Sequence, residues 1–388
     1  MRIGLFTDTY TPEVNGVVTV LTMMTRELRR EGHEVYVFCP SHPSGDSVDA
    51  GVYRFPSLRF PFYKGIRLAI PYDHTAVELI STLDIIHSHD PGPLGLLATW
   101  ASATYHIPHV HTYHTLYTYH RCYLPKPIRP TRRMVAAGSR LLCNRCDVTI
   151  APSTQMEHEL RTYGVTSPIY ALPYGVDEEE FAHEVTWDIK TVVGFPTEDL
   201  LLYVGRLGKE KNLRFLLRSF ERLLRMHPTA GLIIVGDGPE RQPLERYAAS
   251  LGIAPHVVFT GFLQRTQLID LYKQALFVFA SKSETQGLVL MEALMAGAAV
   301  VAVGVMGPVD MIVSGETGIL VEEDEGEFAE ACHQLLLDRE RRRTLGLAAQ
   351  RYARSHNSRV STIDLLGVYA AARARAAACP HNNDGGKE

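Results

Sequence analysis

The stretch that decides the fold reads Ser281-Lys-Ser-Glu284-Thr-Gln-Gly287-Leu-Val-Leu-Met-Glu292-Ala-Leu-Met-Ala-Gly297. A strand-like apolar run precedes it at residues 276–280, and apolar residues at helical spacing begin inside it. Gly287 lies at the junction, where the unbonded N–H groups at a helix start favour an anion. The segment therefore predicts a strand, a turn and a helix, with Glu284 before an anion-binding turn and Glu292 about one turn into the helix. A helix that merely starts with acids would show the same spacing, because its dipole favours them.

A second stretch places two cations at a similar turn. Gly205-Arg206-Leu-Gly208-Lys-Glu-Lys211-Asn212 follows an apolar strand and precedes a helix-forming segment. Cations at a helix start oppose the dipole, so they need an anion or an acidic neighbour there. Arg206 offers a planar fork and Lys211 a point charge, which suits a pyrophosphate. The alternative is a solvated turn.

Two more glycine turns follow predicted strands. They are Val235-Gly236-Asp237-Gly238-Pro239-Glu240 and, after the opening strand at 2–6, Val14-Asn15-Gly16-Val17. Each is a weak signal by itself. Together with the two stretches above, they place four turns at the carboxyl ends of strands, where open α/β sheets bind ligands.

Strand-like and helix-like segments alternate along the whole chain, which predicts parallel sheets of an α/β fold. The predicted strands lie at residues 2–6, 34–39, 84–88, 109–112, 148–151, 168–172, 200–204, 231–235, 256–260, 276–280, 299–303 and 318–321. A chain of 388 residues fits two domains better than one. The acidic segment after Tyr174 marks the boundary, so we predict domains at 1–178 and 179–375 and a disordered tail at 376–388.

Composition favours a cytoplasmic globular protein. The formal net charge is −4, no apolar run is long enough to span a membrane, and the chain starts directly with a core strand rather than a signal peptide. The six cysteines are scattered, as expected for reduced thiols. Cys143 and Cys146 form a single C-x-x-C without a second pair at zinc-finger spacing, which favours ordinary helix cysteines over a metal or redox site.

Histidines cluster at two strand ends in the first half. His87 and His89 end one predicted strand, and His109 and His111 lie on the next, where alternation turns both to one face. His114 follows just past that strand and is placed to project into a cleft. Surface or hydrogen-bonded core positions are the expectation for His87, His106, His109 and His120.

The order and spacing of these motifs resemble glycosyltransferase family 4, retaining enzymes with the GT-B fold. The resemblance covers nearly the whole chain, from the Gly16 loop to a late Gly-Glu316-Thr-Gly318. It implies two doubly wound Rossmann-like domains facing each other across a cleft, with the acceptor on the first and a nucleotide-sugar donor on the second. It also implies that a C-terminal helix returns to the first domain.

The resemblance also implies roles for individual residues. His114 and Glu284 would act as the catalytic residues at the donor sugar, and Glu292 would bind the ribose hydroxyls. The residues expected to bind the donor nucleotide and diphosphate are Gly16, Arg206, Lys211, Gly287, Leu288, Val289 and Glu292.

A basic stretch in the first half suggests the acceptor. No acidic residue lies between Pro91 and Cys146, whereas seven cations do: Arg121, Lys126, Arg129, Arg132, Arg133, Arg140 and Arg145. Tyr113, Tyr117, Tyr119 and Tyr123 interleave them, and the segment 54–68 repeats the theme. Cations beside aromatic residues suit an anionic membrane surface. We expect Arg121, Lys126, Arg129, Arg132 and Arg133 to form that surface; a solvated face is the alternative, and no nucleic-acid-binding fold is recognisable.

Within the family, the opening Phe6-Thr-Asp-Thr-Tyr-Thr-Pro and the segment from Thr112 to Tyr117 look most like the diacylglycerol glucosyltransferase branch. This likeness implies transfer of a hexose, such as glucose, from a UDP-sugar to a lipid acceptor by an enzyme peripheral to the inner face of the cell membrane. The chain has no Asp-x-Asp, so we expect neither a cofactor nor a metal requirement. The alternatives are a soluble or phosphoinositide-type polyol acceptor, a non-catalytic sugar-nucleotide binder, and a UDP-sugar epimerase.

Overall fold

The computed structural model of the protein describes residues 1–43, 49–60, 67–121, 126–189, 194 and 197–378. The chain divides into two compact units. Unit 1 consists of Met1–Tyr174 together with the segment from Ser358 onward, and unit 2 consists of Gly175–Asn357. The domains predicted from composition, 1–178 and 179–375, differ from these units near residue 175 and beyond residue 357.

Unit 1 is built on a seven-stranded sheet in which every pair is parallel. Its order is β3-β2-β1-β6-β7-β8-β9, and β4 and β5 form a separate antiparallel pair. The strands are β1 (Arg2–Phe6), β2 (Glu34–Pro40), β3 (Val52–Phe55), β4 (Ser57–Arg59), β5 (Arg67–Ala69), β6 (Ile85–Ser88), β7 (His109–Thr112), β8 (Val148–Ala151) and β9 (Ile169–Ala171). From β1 the strand order runs outward to β3 on one side, and from β6 it runs outward to β9 on the other. The carboxyl ends of β1 and β6 therefore lie at the position where such sheets bind ligands.

Six α-helices lie between these strands in the described part of unit 1. They are α1 (Gly16–Arg30), α2 (His74–Ile80), α3 (Pro93–Tyr105), α4 (Tyr117–His120), α5 (Arg132–Cys143) and α6 (Thr154–Thr162). Asn15 caps α1 by accepting a hydrogen bond from the Val18 N–H at 3.0 Å. The cap fixes where the first glycine turn becomes a helix.

Unit 2 contains a six-stranded parallel sheet in the order β12-β11-β10-β13-β14-β15. Its strands are β10 (Leu200–Val204), β11 (Gly231–Val235), β12 (Val257–Gly261), β13 (Leu276–Phe279), β14 (Val300–Val303) and β15 (Ile319–Val321). Its helices are α7 (Leu213–Met226), α8 (Arg241–Ser250), α9 (Arg265–Gln274), α10 (Leu288–Met295), α11 (Gly307–Met311), α12 (Glu325–Leu337) and α13 (Arg339–Ser355). β10, β11, β13 and β14 are buried along their whole length, which is typical of strands covered by helices on both faces.

The last helix, α14 (Ser358–Ala378), belongs to unit 1. It packs against α1, β7 and β8, and Tyr369 is fully buried there. This packing is why unit 2 ends before residue 375, and it confirms the predicted return of a C-terminal helix. Residues 376–378 complete α14, whereas the rest of the predicted disordered tail, 379–388, lies outside the described residues.

The sequence pattern located the two central sheets well. All twelve predicted strands are present, with ends that differ by at most one residue. The prediction missed β3, β4 and β5, whose short segments are interrupted by Pro56 and mixed with basic residues. The alternation of apolar and polar residues in these strands is too short to distinguish them from a loop.

Candidate active site

The Arg206 loop follows β10 directly. Gly205 has φ +152°, a value that side-chain-bearing residues rarely adopt, and it turns the chain away from the sheet. Arg206 is exposed, and a short 3-10 helix at Lys209–Lys211 carries the chain toward α7. The loop therefore presents the Arg206 guanidinium at the carboxyl end of a central strand.

The Gly-Asp-Gly-Pro turn supports this loop. The Leu207 N–H donates to the Asp237 carbonyl at 3.0 Å, and the Glu240 N–H donates to the Leu207 carbonyl at 3.0 Å. A Cβ at Gly236 would lie 2.1 Å from the Gly205 carbonyl oxygen, and one at Gly238 would lie 2.4 Å from that of Leu207. These glycines let two backbones approach closely enough to fix the Arg206 loop.

Lys211 and Glu284 meet although they are distant in sequence. The Lys211 ammonium contacts the Glu284 carboxylate, and both side chains are mostly buried. Burial lowers the pKa of Lys211 to about 8, the Glu210 carboxylate opposes this shift, and the Arg206 cation adds to it. The structure thus brings Lys211 into contact with Glu284 and places the Arg206 cation near Lys211.

Gly287 forms the junction that the sequence indicated. Its φ is +87°, and α10 begins immediately afterward at Leu288. A Cβ at Gly287 would lie 3.8 Å from the Glu284 Cβ, so the helix start and Glu284 are neighbours. The N–H groups of Leu288 and Val289 belong to the first turn, where an α-helix supplies no internal acceptor. They are suited to bind a phosphate oxygen beside Lys211.

Glu292 lies one turn further along α10 and is only 4% exposed. Arg265 Nη1 donates to its Oε1 at 2.5 Å, and the Tyr272 hydroxyl donates to its Oε2 at 3.0 Å. Arg265 also pairs with Glu180 at 2.9 Å. These donors hold the carboxylate in one orientation, and its remaining lone pairs can accept further hydrogen bonds.

Sequence reasoning missed Arg265 and Tyr272. Arg265 is the first residue of α9, where a cation opposes the helix dipole and needs an anionic partner. The same signal had singled out Arg206. Applied throughout the chain, it would have found Arg265 as well.

Gly16 is the first residue of α1 and is exposed. Among the described residues, nothing lies within 4 Å of a Cβ built on it. Packing inside unit 1 therefore does not require glycine here. Its expected role at the donor phosphate remains a prediction.

His114 lies two residues beyond β7 and is partly buried. Its Nε2 is 2.9 Å from Nδ1 of His89, and its ring stacks on Tyr174 at 5.7 Å. Burial, with a smaller contribution from His111, lowers the pKa of His114 to about 3. The imidazole is therefore neutral at physiological pH and can act through hydrogen bonds.

The other strand-end histidines form a hydrogen-bonded core. Nε2 of His109 and Nδ1 of His111 lie 2.7 and 2.8 Å from the same Ser88 hydroxyl, which confirms that the two rings share a face. His87 contacts the hydroxyls of Tyr369 and Thr112, both at 2.8 Å. These contacts confirm the expectation of core positions for His87 and His109.

A pair of acids at the ends of β1 and β6 was also missed. The Asp8 N–H donates to Asp90 Oδ2 at 3.1 Å, and the Leu94 N–H donates to Asp8 Oδ1 at 3.2 Å. Burial, followed by repulsion from Asp90, raises the pKa of Asp8 to about 7. The residues are 82 positions apart, so no local pattern in the sequence pairs them.

The predicted basic surface lies around α5. Lys126, Arg132 and Arg133 are exposed, Arg121 and Arg129 are partly exposed, and Arg132 stacks over the Tyr119 ring at 5.9 Å. Only Ser139 and Cys143 of α5 are buried. Met134 is 62% exposed and Leu141 is 56% exposed, so the outer face carries apolar residues beside its cations.

One part of the aromatic prediction is wrong. Tyr113 is 1% exposed, and its hydroxyl bonds to Ser139 at 2.7 Å, so it belongs to the core rather than the surface. Tyr119 is exposed, and Tyr123 lies outside the described residues, as does Lys64 of the earlier segment.

Cys143 and Cys146 are free and buried, and burial raises the pKa of both thiols.

None of the helices in the described ranges combines the length and the apolar character that a membrane span needs. Within the same ranges, no three His, Cys, Asp or Glu side chains form a group that could hold a metal ion.

Comparison with known proteins identifies the family. Residues 14–180 match Glycosyltransferase Family 4, and residues 185–352 match Glycosyl transferases group 1. The alpha-monoglucosyldiacylglycerol synthase of Streptococcus pneumoniae is 34% identical over 314 residues, which cover 78% of this chain and 71% of the relative. A GDP-mannose-dependent alpha-mannosyltransferase of Mycolicibacterium smegmatis is 30% identical, with 97% of this chain and 98% of the relative covered.

Solved structures support the same fold. The crystal structure of Anabaena HepE in complex with UDP and glucose matches with a TM-score of 0.78. The match covers 95% of this chain and 99% of that chain, at 18% identity. The chain therefore belongs to glycosyltransferase family 4 and is a hexosyltransferase with the GT-B fold.

Proposed function

We propose that the enzyme transfers glucose from UDP-glucose to 1,2-diacylglycerol, retaining the α configuration, at the inner face of the cell membrane. The observation that carries this proposal is the 34% identity to an alpha-monoglucosyldiacylglycerol synthase. The exposed cations and apolar residues of α5 support it, because they suit contact with the membrane that holds such an acceptor.

The donor diphosphate would bind between the Arg206 loop and the start of α10. Full positive charge lies on Arg206 and Lys211. Partial positive charge lies on the N–H groups of Leu288 and Val289 at the helix start. They would stabilise the diphosphate as negative charge develops on it during departure. Gly16 would also bind the donor phosphate.

The two glutamates would bind the donor rather than attack it. Glu284 would accept hydrogen bonds from hydroxyls of the transferred sugar and support positive charge on its ring. Glu292, already oriented by Arg265 and Tyr272, would accept hydrogen bonds from the ribose hydroxyls. His114 would contact the transferred sugar. The departing phosphate oxygen would take the proton from the acceptor hydroxyl.

A donor and acceptor screen tests this function. The protein is incubated with radiolabelled UDP-glucose, UDP-galactose or GDP-mannose, with diacylglycerol vesicles or with soluble polyols, and products are counted in lipid and water phases. We expect label from UDP-glucose in the lipid phase only when diacylglycerol is present. Turnover without an acceptor, or label confined to the water phase, would contradict the proposal.

The second candidate is transfer of mannose to a soluble or phosphoinositide-type polyol. The full-length match to a GDP-mannose-dependent alpha-mannosyltransferase favours it. The same screen separates the candidates, because this one requires GDP-mannose and leaves the lipid phase unlabelled when the acceptor is soluble.

Reversing the charge of Arg129, Arg132 and Arg133 to glutamate should weaken binding to vesicles that contain anionic lipid and slow transfer to a lipid acceptor. Each cation contributes about 1 kcal/mol near such a surface, so three reversals should lower vesicle affinity by at least about 100-fold. Binding should also weaken with moderate salt, because charges are screened over about 8 Å at physiological ionic strength. Vesicle sedimentation measures both effects.

Two further variants sharpen this test. Reversing three exposed arginines of unit 2, Arg246, Arg343 and Arg351, makes the same change in net charge outside unit 1 and should leave sedimentation near the wild-type level. Replacing Met134 and Leu141 by glutamine should weaken binding without changing charge. If the α5 variants sediment as wild type does, this face is only solvated, and a soluble acceptor becomes the better proposal.

Transfer should continue in excess EDTA, because cationic side chains and helix amides would neutralise the diphosphate without a metal. The absence of Asp-x-Asp from the sequence motivates this expectation. Initial rates with and without chelator should agree within about twofold. Loss of activity in EDTA that Mg²⁺ or Mn²⁺ restores would show that a metal holds the diphosphate.

A further inference from the structure

His89 is fully buried beside His114, and no role has yet been given to it. It follows β6 directly and has 0% exposure. Its ring lies between those of His87, at a centroid distance of 4.1 Å, and His114, at 5.2 Å. One atom pair joins it to the proposed site, namely Nδ1 of His89 and Nε2 of His114 at 2.9 Å.

A hydrogen bond between two imidazole nitrogens requires a hydrogen on one and a lone pair on the other. Burial lowers the pKa of both histidines, and nearby His87 and His111 lower that of His89 further. Both rings are therefore neutral, and each carries a single ring hydrogen. The bond can then run in either of two directions.

The second nitrogen of His89 decides the direction. Its Nε2 is buried and, among the described residues, has no hydrogen-bond partner. If His89 accepted from His114, its hydrogen would lie on Nε2 as a buried, unpaired donor, which proteins rarely tolerate. If His89 donates through Nδ1, Nε2 carries only a lone pair.

We infer that His89 is a positioning residue that donates from Nδ1 to His114 Nε2 and thereby holds His114 as the tautomer with its hydrogen on Nδ1. The consequence for transfer rests on the proposed contact between His114 and the donor sugar. In that tautomer, any hydrogen bond from His114 to a sugar oxygen is donated through Nδ1. The tautomer itself does not depend on that function.

The test uses ¹⁵N-histidine-labelled protein, with the His89 and His114 signals assigned by variants. Two-bond ¹H–¹⁵N correlations of the ligand-free wild type should show both rings with hydrogen on Nδ1. His89→Asn, whose amide can donate from the same place, should preserve the His114 tautomer. His89→Leu should release it and lower kcat about 10- to 100-fold, with little change in donor KM. His87→Asn removes a neighbouring buried ring that bonds to Tyr369 and Thr112, and it should leave the tautomer unchanged.

A wild-type His114 with its hydrogen on Nε2 would overturn the inference even if no variant folds. So would a His89→Leu protein that keeps the tautomer, whatever its activity. By contrast, a confirmed tautomer together with unimpaired transfer by His114→Ala would leave the inference standing and refute the proposed sugar contact.

Discussion

Replacing Arg206 or Lys211 by alanine should lower kcat/KM for the donor about 30- to 1000-fold. Each replacement removes a charge-assisted contact to the leaving diphosphate, which contributes about 2–4 kcal/mol to the transition state. Steady-state kinetics with labelled UDP-glucose measure the loss, and thermal unfolding checks the fold. Lys209→Ala is the matched control, because Lys209 is exposed in the same turn and should be dispensable. Wild-type kinetics in both alanine variants would refute the phosphate site.

Lys211 could instead serve only to hold Glu284, since the two side chains are in contact. A double-mutant cycle separates these roles. If Lys211 only orients Glu284, Lys211→Ala adds nothing to Glu284→Gln. If it binds the diphosphate, a further loss of tenfold or more should remain.

The pH dependence of donor kcat/KM offers a second test of whether the Lys211 charge takes part in donor binding. With a lowered pKa of about 8 in the ligand-free protein, Lys211 loses its charge in mildly alkaline solution. Donor kcat/KM, which reports the free enzyme, should therefore fall above pH 8. Lys211→Arg should start from a lower rate but keep it to higher pH, because a guanidinium stays charged.

The fold was predictable because parallel strands buried on both faces give unbroken apolar runs between helices. β10 and β11 are clear examples. β4 was not predictable in this way. It has only three residues, two of which are exposed, so it contains no apolar run or apolar–polar alternation that could be recognised. The return of α14 to unit 1 came from the family resemblance, since its alanine-rich sequence does not specify a partner.

The residues of the proposed donor site could be selected from the sequence where their chemistry is local. Glu284 and Gly287 are close in sequence, and cations at the turns after β10 are conspicuous beside a helix start. Contacts between distant segments gave no such signal. The bonds from Arg265 to Glu292 and from His89 to His114 depend on which strands become neighbours, and only the folded sheet determines that.

Acidification should destabilise unit 1 strongly. Five histidines of unit 1 are clustered around the ends of β6 and β7, and burial is the main cause that lowers their pKa. The pKa falls to about 3 for His109 and His114, to about 4 for His111, and well below the ordinary value for His87 and His89. The unfolded chain binds protons at these positions below about pH 6.5, whereas the folded unit does not. Their stabilising contribution is therefore complete above pH 6.5 and is lost as the pH falls toward the folded values.

Carboxyl groups of the same unit act in the opposite direction. Burial raises the pKa of Asp8 to about 7 and also raises that of Asp90 and Glu13, so the folded unit holds protons that the unfolded chain releases. The unfolded chain binds up to five more protons than the folded unit at these histidines, and the carboxyl groups offset one to three of them. The unfolded chain therefore binds about two to four more protons in total. Between pH 6 and pH 5, the free energy of unfolding should fall by about 3–5 kcal/mol.

The two tryptophans allow each unit to be measured separately. Trp100 lies on α3 of unit 1 and Trp187 lies in unit 2, and the chain has no others. Trp187→Phe leaves a fluorescence signal from unit 1 alone, and Trp100→Phe leaves one from unit 2. Urea unfolding at pH 7, 6 and 5 should show a steep loss for Trp100 and a much smaller one for Trp187. Equal midpoints for Trp100 at all three values would show that the folded unit and the unfolded chain bind the same number of protons, so the pKa values of these histidines would not be lowered as described.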